Sequence, residues 1–219
     1  MRIQLLKCNV ICSTRADMNT VTREFLIVIV AFTLLSGLMP QSTTIAYKIS
    51  PESKVWVEGT STIHDWTCGA TEIKGTVELT FGTDMAPAIS AAQVTVPIKK
   101  MDCDNSTMDR KLQKALKMKD TPNLLFEFES ATTQDAAVAD SFEVATLGYM
   151  MIAGQTRRIT VTQYLTERVD GTIIFRGSFP VSMKDYGVKP PTALLGTIRT
   201  GNEVTVFFKF VLDPSRSNS

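Results

Sequence analysis

Along most of this chain apolar and polar residues alternate one for one, and that period of two constrains the fold more than any other feature. Successive side chains of an extended strand point to opposite faces, so strict alternation marks a strand with one buried and one wet side. Residues 72–81 (EIKGTVELTF) alternate without a fault, and 93–99 (QVTVPIK) do the same, with Pro97 placing that strand at an edge or a bulge. Residues 54–58 put Val55 and Val57 on one face, and 124–129 put Leu124, Phe126 and Phe128 together. Later strands are expected near 142–152, 158–167, 172–181 and 204–212. Turn chemistry at 153–156 (AGQT) and 169–171 (VDG) joins two pairs of them as hairpins, and Gly201-Asn202 reads as another turn. Seven or eight such strands make an antiparallel sandwich or a closed antiparallel barrel.

One segment breaks the pattern. Residues 105–119 (NSTMDRKLQKALKMK) carry Met108, Leu112, Ala115 and Leu116 at helical spacing. Ser106 or Thr107 is expected as the N-cap, Asp109 in the first turn, Lys117 and Lys119 near the end, and Thr121-Pro122 as the stop. A second short helical turn is expected at 183–186. Lys99, Lys100, Arg110, Lys111, Lys114, Lys117 and Lys119 make this region basic. Such a run is ordinarily a solvated helix face, and its other use is transient contact with an anionic head group or membrane surface.

The N-terminal part is of another kind. Residues 25–39 (FLIVIVAFTLLSGLM) are uncharged and apolar or small, Arg2, Lys7, Arg15 and Arg23 precede them, and small polar residues follow as far as Ala46. That is the layout of a secretory signal, and the run is shorter than the roughly 20 residues of a spanning helix. We expect a leader over 1–46, cut after Ala46, and one domain over 47–219, with an uncleaved anchor as the alternative and Met18 as a second candidate start. Leu38 follows Ser36-Gly37 where a lipoprotein needs Cys, which argues against lipidation. The expected location is periplasmic or secreted. The leader would take four of the 23 basic and two of the 22 acidic residues, leaving a net charge near −1 and no basic surface for nucleic acid. Cys8 and Cys12 would leave with it. Cys68 and Cys103 remain as an even pair for an oxidising compartment, so a disulfide is expected, with two free buried thiols as the alternative.

Catalytic chemistry is sparse. His64 is the one histidine in the chain, which excludes metal sites built from several imidazoles and leaves a single candidate for acid–base work. No Gly-x-Ser-x-Gly elbow is present, and 176–179 (RGSF) lacks the second glycine. There is no phosphate-cradling glycine loop, no dithiol motif and no Cys-x-x-Cys-His haem attachment. We therefore expect no enzyme, no metal and no cofactor. In 61–66 (STIHDW), His64 and Asp65 either hydrogen-bond local backbone at a corner that Trp66 plugs, or His64 lines a mouth and meets a ligand's polar head.

The order of motifs resembles one known family. The run from Val57 through Glu58-Gly59-Thr60-Ser61-Thr62-Ile63-His64-Asp65 to Trp66 resembles the opening signature of the YceI-like family. A Val-x-Val-Pro strand then leads into Met108-Asp109 and the helix, and Thr121-Pro122 precedes Phe126-Glu127-Phe128-Glu129-Ser130. Gly148 to Thr156 is similar to the family's Gly-x-Leu-Thr-Ile-x-Gly-x-Thr hairpin, with Met150 and Met151 in place of Leu-Thr. Asp185-Tyr186-Gly187-Val188 stands for Asp-Phe-Gly-Ile, and Gly201-Asn202-Glu203-Val204 opens the last strand. The resemblance covers about 47–213. It implies an all-β, extended, antiparallel lipocalin-like barrel of about eight strands with one α-helix between strands, its pore holding a long isoprenoid or other amphiphile. The cysteine pair belongs to only some members.

A barrel of about eight strands is either filled by its own side chains or holds one small ligand. If a pore exists, alternation assigns its lining strand by strand: Val57; Ile73, Val77 and Leu79; Val94 and Val96; Phe126 and Phe128; Tyr149; Val161; Phe175 and Phe179; Phe208 and Phe210. His64 and Trp66 join them at the corner. The expected function is an exported lipid-binding protein, monomeric or homodimeric, holding a polyisoprenoid, quinone or fatty acyl or amide chain for transport or storage. The alternatives are an interaction module beside a membrane redox protein, and a lipid hydrolase using His64.

Overall fold

The alternating segments are rich in β-branched and aromatic residues, which fit a pleated, half-buried surface, and each forms a strand. The computed structural model describes residues 42–82, 86–137, 141–193 and 197–214. The apolar run and basic flank of the expected leader lie outside the described residues. In chain order the strands are β1 (Thr43–Ile49), β2 (Lys54–Ser61), β3 (Trp66–Ala70), β4 (Lys74–Phe81), β5 (Ala88–Pro97) and β6 (Met101–Asp102). Helix α1 (Ser106–Ala115) follows, then β7 (Asn123–Asp135), β8 (Ser141–Ile152), β9 (Gln155–Glu167), β10 (Ile173–Ser182), β11 (Thr192–Ala193) and β12 (Ile198–Pro214).

Eight of these close a ring in the order β1-β4-β5-β7-β8-β9-β10-β12, and β1 completes it by pairing Tyr47 with Pro214 and Ile49 with Leu212. All pairings are antiparallel. Closure removes the open edges that an antiparallel sheet otherwise leaves unpaired. β12 is long enough to serve two partners on one side. Its last residues meet β1, while Thr200 to Lys209 pair with β2. β2, β3 and β6 extend the wall from there, and β5 runs through a 3₁₀ turn (Ile98–Lys100) straight into β6. A bulge between Phe128 and Ser130 leaves Glu129 and Ser130 both exposed and shifts the inward set of β7 from even to odd positions.

Helix α1 departs from the sequence expectation at both ends. Asn105, not Ser106 or Thr107, is the N-cap: its side-chain oxygen accepts from the backbone N–H groups of Thr107 and Met108 at 3.0 and 3.1 Å. The helix stops at Ala115, because Leu116 has left helical geometry and Lys117 turns left-handed at φ 54°. Thr121 Oγ1 then donates to the freed carbonyls of Leu116 and Lys117. Gly201 and Asn202 are not a turn. They continue β12 through an irregularity between Thr200 and Val204, where Asn202 accepts from Lys184 N–H of the 3₁₀ turn Met183–Tyr186.

Candidate ligand-binding cavity

The inward side chains of the ring do not fill it. Among the described residues, two chambers stand out. The outer one, of about 470 Å³, lies under α1 and is bordered by β2, β3, β6, β12, the 61–64 turn and the segment after β10. The inner one, of about 140 Å³, lies within the ring of strands. Val55, Leu124, Ile152 and Val206 border both chambers, which therefore adjoin at a collar of four apolar side chains.

The outer chamber is capped by the apolar stripe of α1: Met108, Leu112, Ala115 and Leu116. No residue of that helix is fully buried. Met108 and Leu112 pack half-buried against the cluster around Cys68 and Cys103, Ala115 and Leu116 against the main core, and the stripe also roofs the space. Cys68 on β3 and Cys103 just ahead of α1 form a disulfide with Cα atoms 4.0 Å apart. Asp109 Oδ1 accepts from Cys103 N–H at 2.9 Å and ties the first helical turn to the same point. Among the described residues, Lys111 is the one permanently charged side chain bordering either chamber. Tyr186 is 4 % exposed and borders the outer chamber; burial pushes its hydroxyl above the ordinary phenol range, so it remains a neutral donor.

The His64 corner has the local backbone bonding of the first reading and stands at the edge of the outer chamber. His64 borders the outer chamber and is exposed, while its Nδ1 lies 2.8 Å from the Asp65 carbonyl. Ser61 closes the turn by donating its hydroxyl to the His64 carbonyl at 2.7 Å. Its hydroxyl therefore serves the backbone, and no serine–imidazole pair of the kind a hydrolase needs is formed among the described residues. Trp66 borders the same chamber. Its ring packs over Gly59, a position where any Cβ would collide with it, and its Nε1 donates to the Thr60 carbonyl at 3.2 Å.

Of the strand residues expected to line a pore, Val57 borders the outer chamber. Val77, Val94, Val96, Phe126, Val161, Phe175, Phe179, Phe208 and Phe210 border the inner one. Four stand elsewhere. Leu79 and Phe128 pack into the main core without bordering a chamber, and Ile73 precedes β4 and packs against Cys68, Val96, Met101 and Cys103. Tyr149 is on the outer face, 41 % exposed, because the inward parity of β8 runs through Val144, Thr146, Gly148 and Met150. There it joins the bidentate Arg158–Glu129 pair, whose two contacts are 2.6 and 2.7 Å, and helps hold the Glu129 carboxyl below the usual range. Sequence reasoning missed the collar and also Thr146 and Gln163, polar residues at inward positions of β8 and β9. The signal was present in Ile159-x-Val161-x-Gln163-x-Leu165, where a polar residue takes an apolar slot.

A closed antiparallel barrel with a greasy, helix-capped interior defines a lipocalin-like architecture. Residues 40–212 match the YceI-like domain, and the chain belongs to that family. No curated protein matches the chain by sequence. Solved structures share the fold at low identity. Burkholderia cenocepacia BcnA is 16 % identical with a TM-score of 0.58, the match covering 74 % of this chain and 98 % of BcnA. A polyisoprenoid-binding domain from Saccharophagus degradans implicated in plant cell wall breakdown is 11 % identical with a TM-score of 0.61, over 78 % of this chain and 99 % of its own. The Campylobacter jejuni YceI protein is 16 % identical with a TM-score of 0.51, over 68 % and 85 %.

Proposed function

We propose that this protein is an exported carrier that holds one long apolar amphiphile inside the barrel, for transport or storage, and that it binds without catalysing. The observation that carries the reading is the mostly apolar lining of two chambers that adjoin at the Val55–Leu124–Ile152–Val206 collar. Each CH₂ moved from water into such a space gains about 0.8 kcal/mol, so a long prenyl or acyl chain binds with few polar contacts. The polyisoprenoid-binding character of the Saccharophagus degradans relative supports the same class of ligand, with quinones and fatty acyl or amide chains within reach of the same physics.

Export to the periplasm or beyond is supported by the Cys68–Cys103 bond, which persists in oxidising compartments. A cut after Ala46 would remove Thr43 to Ala46, which pair with Phe81 to Glu78 of β4. It would keep Tyr47, Lys48 and Ile49, the residues that close the ring on β12. N-terminal sequencing of the exported protein fixes that point. Ligand exchange through the outer chamber, with the basic face around α1 touching an anionic membrane, is the matching mode of delivery.

The test is native mass spectrometry of the mature protein, followed by organic extraction and identification of what leaves. A stoichiometric long-chain amphiphile is expected. A protein that carries nothing and takes up neither prenyl nor acyl chains would be an interaction module instead.

A further inference from the structure

The inner chamber has one polar feature in an otherwise apolar lining, the pair Thr146 and Gln163. They are diagonal neighbours across β8 and β9, where Val144 faces Gln163 and Thr146 faces Val161. The residues are 3 % and 7 % exposed, and Gln163 Nε2 donates to Thr146 Oγ1 at 2.8 Å. Gly177 stands opposite Gln163 on β10. A Cβ there would come within 3.1 Å of Gln163 Cβ and 2.7 Å of Phe208 Cζ, so the missing side chain leaves room for both.

This bond leaves most of the pair's capacity unused. A primary amide offers two donor hydrogens and an acceptor oxygen, and a hydroxyl offers one donor and acceptor lone pairs. Among the described residues no other group bonds either side chain. Yet no fully buried side-chain nitrogen or oxygen there lacks a partner. The unengaged atoms therefore open on the chamber. As placed, the amide oxygen is the unengaged atom that opens on the chamber, turning the amide over would put its NH₂ there instead, and no charge borders the chamber.

We propose that the inner chamber selects lipids with a neutral, hydrogen-bonding head, such as an alcohol, amide or quinone carbonyl, seated head-inward against Thr146 and Gln163. The tail then passes the collar and ends under the apolar stripe of α1. An ionised carboxylate or phosphate would lose its water here and gain no counter-charge, so acidic lipids are discriminated against. The inference rests on the lipid-binding reading and narrows it.

The test compares dodecan-1-ol, dodecanamide and dodecane, each displacing N-phenyl-1-naphthylamine from the delipidated protein. Wild type is set beside Gln163→Met and the double variant Thr146→Val/Gln163→Met. The double variant removes both partners by apolar groups of similar shape and leaves no polar atom stranded, so it should fold. We expect the variants to bind the alcohol and amide roughly five- to tenfold more weakly than wild type, the worth of one to two buried hydrogen bonds, with dodecane unchanged. Equal losses for all three probes, or no loss for any, would overturn head-group selection while leaving the lipid-binding reading in place. A wild-type protein that binds none of the probes would remove both readings.

Discussion

The inner and outer chambers are built from different material. Around the inner one, Phe175 and Phe208 are only 2 % and 6 % exposed, and the strands that carry them are hydrogen-bonded to a neighbour on each side. The outer one is walled in part by a helix with no fully buried residue, by the turn at His64 and by the segment around Pro191 and Thr192. A wall held by ladders on both sides moves only by breaking several hydrogen bonds together. A helix tethered by a disulfide and an Asn105 cap can shift at less cost. On the proposed lipid-binding reading, the stiffer inner chamber is the part suited to selection and the outer one the part suited to admission.

Cutting the tether is the largest way to break that contrast. Cys68 and Cys103 are 35 residues apart, and in the chain-entropy picture a loop of that size contributes roughly 4 kcal/mol. Cys68→Ala/Cys103→Ala should lower the urea midpoint accordingly. Hydrogen exchange in α1 and the 61–64 turn should quicken far more than in β8, β9 and β10. Uniform acceleration through the strands would mean that the two chambers are not separate in stability.

Truncating one side chain in each chamber sharpens the contrast with a smaller effect. Phe208 stacks on Phe210 with ring centroids 5.0 Å apart and lies over Gly177. Phe208→Ala should cost about 3 kcal/mol, since the strands around it cannot close the space. Leu112→Ala should cost only about 1 kcal/mol, because its side chain is partly wet and the helix can settle into the gap. Equal costs in chemical denaturation would show that α1 is packed as firmly as the ring.

Most strands of the ring were legible from alternation, but alternation left sandwich and barrel both open. Closure was implied by the family resemblance, and β1, which completes the ring, begins inside the expected leader. What escaped follows from physics that a period does not carry. β3 is short and begins directly after the 61–64 turn, so Trp66-Thr67-Cys68-Gly69-Ala70 offered too few alternations to stand out. The end of α1 was set by a left-handed Lys117, a position where no glycine advertises the turn. In β8 the aromatic ring of Tyr149 drew the inward assignment, yet the parity of its neighbours, with the small Gly148 inward beside Phe126, decides the matter. Nothing in the sequence singles out Thr146 and Gln163 as a pair. Only closure of the barrel shows that they face inward together.

The smallest expected effect compares two surface carboxylates and their ion pairs. Glu72 binds Lys74 at 2.8 Å and Lys100 at 3.3 Å, and Lys100 stands just ahead of β6 and the disulfide, at the stem of α1. Glu129 and Arg158 instead brace the outer face of β7 to β9. Hydrogen bonds from Lys74 and then Lys100 hold the Glu72 carboxyl below the usual range, and Arg158 does the same for Glu129. A carboxylate lowered in this way contributes stability above its unfolded pKa of about 4.3, and that contribution is lost as pH falls through the lower folded value. Both carboxylates lie at the surface, so the effect is slight and fades in salt. Wild type should melt slightly above Glu72→Gln and Glu129→Gln at pH 7, with both differences vanishing as the pH is taken below 4. Exchange at the start of α1 should respond to Glu72→Gln alone, because only that pair grips the stem. If Glu129→Gln loosens α1 equally, the wall and the stem form one cooperative unit and the contrast between the chambers is lost.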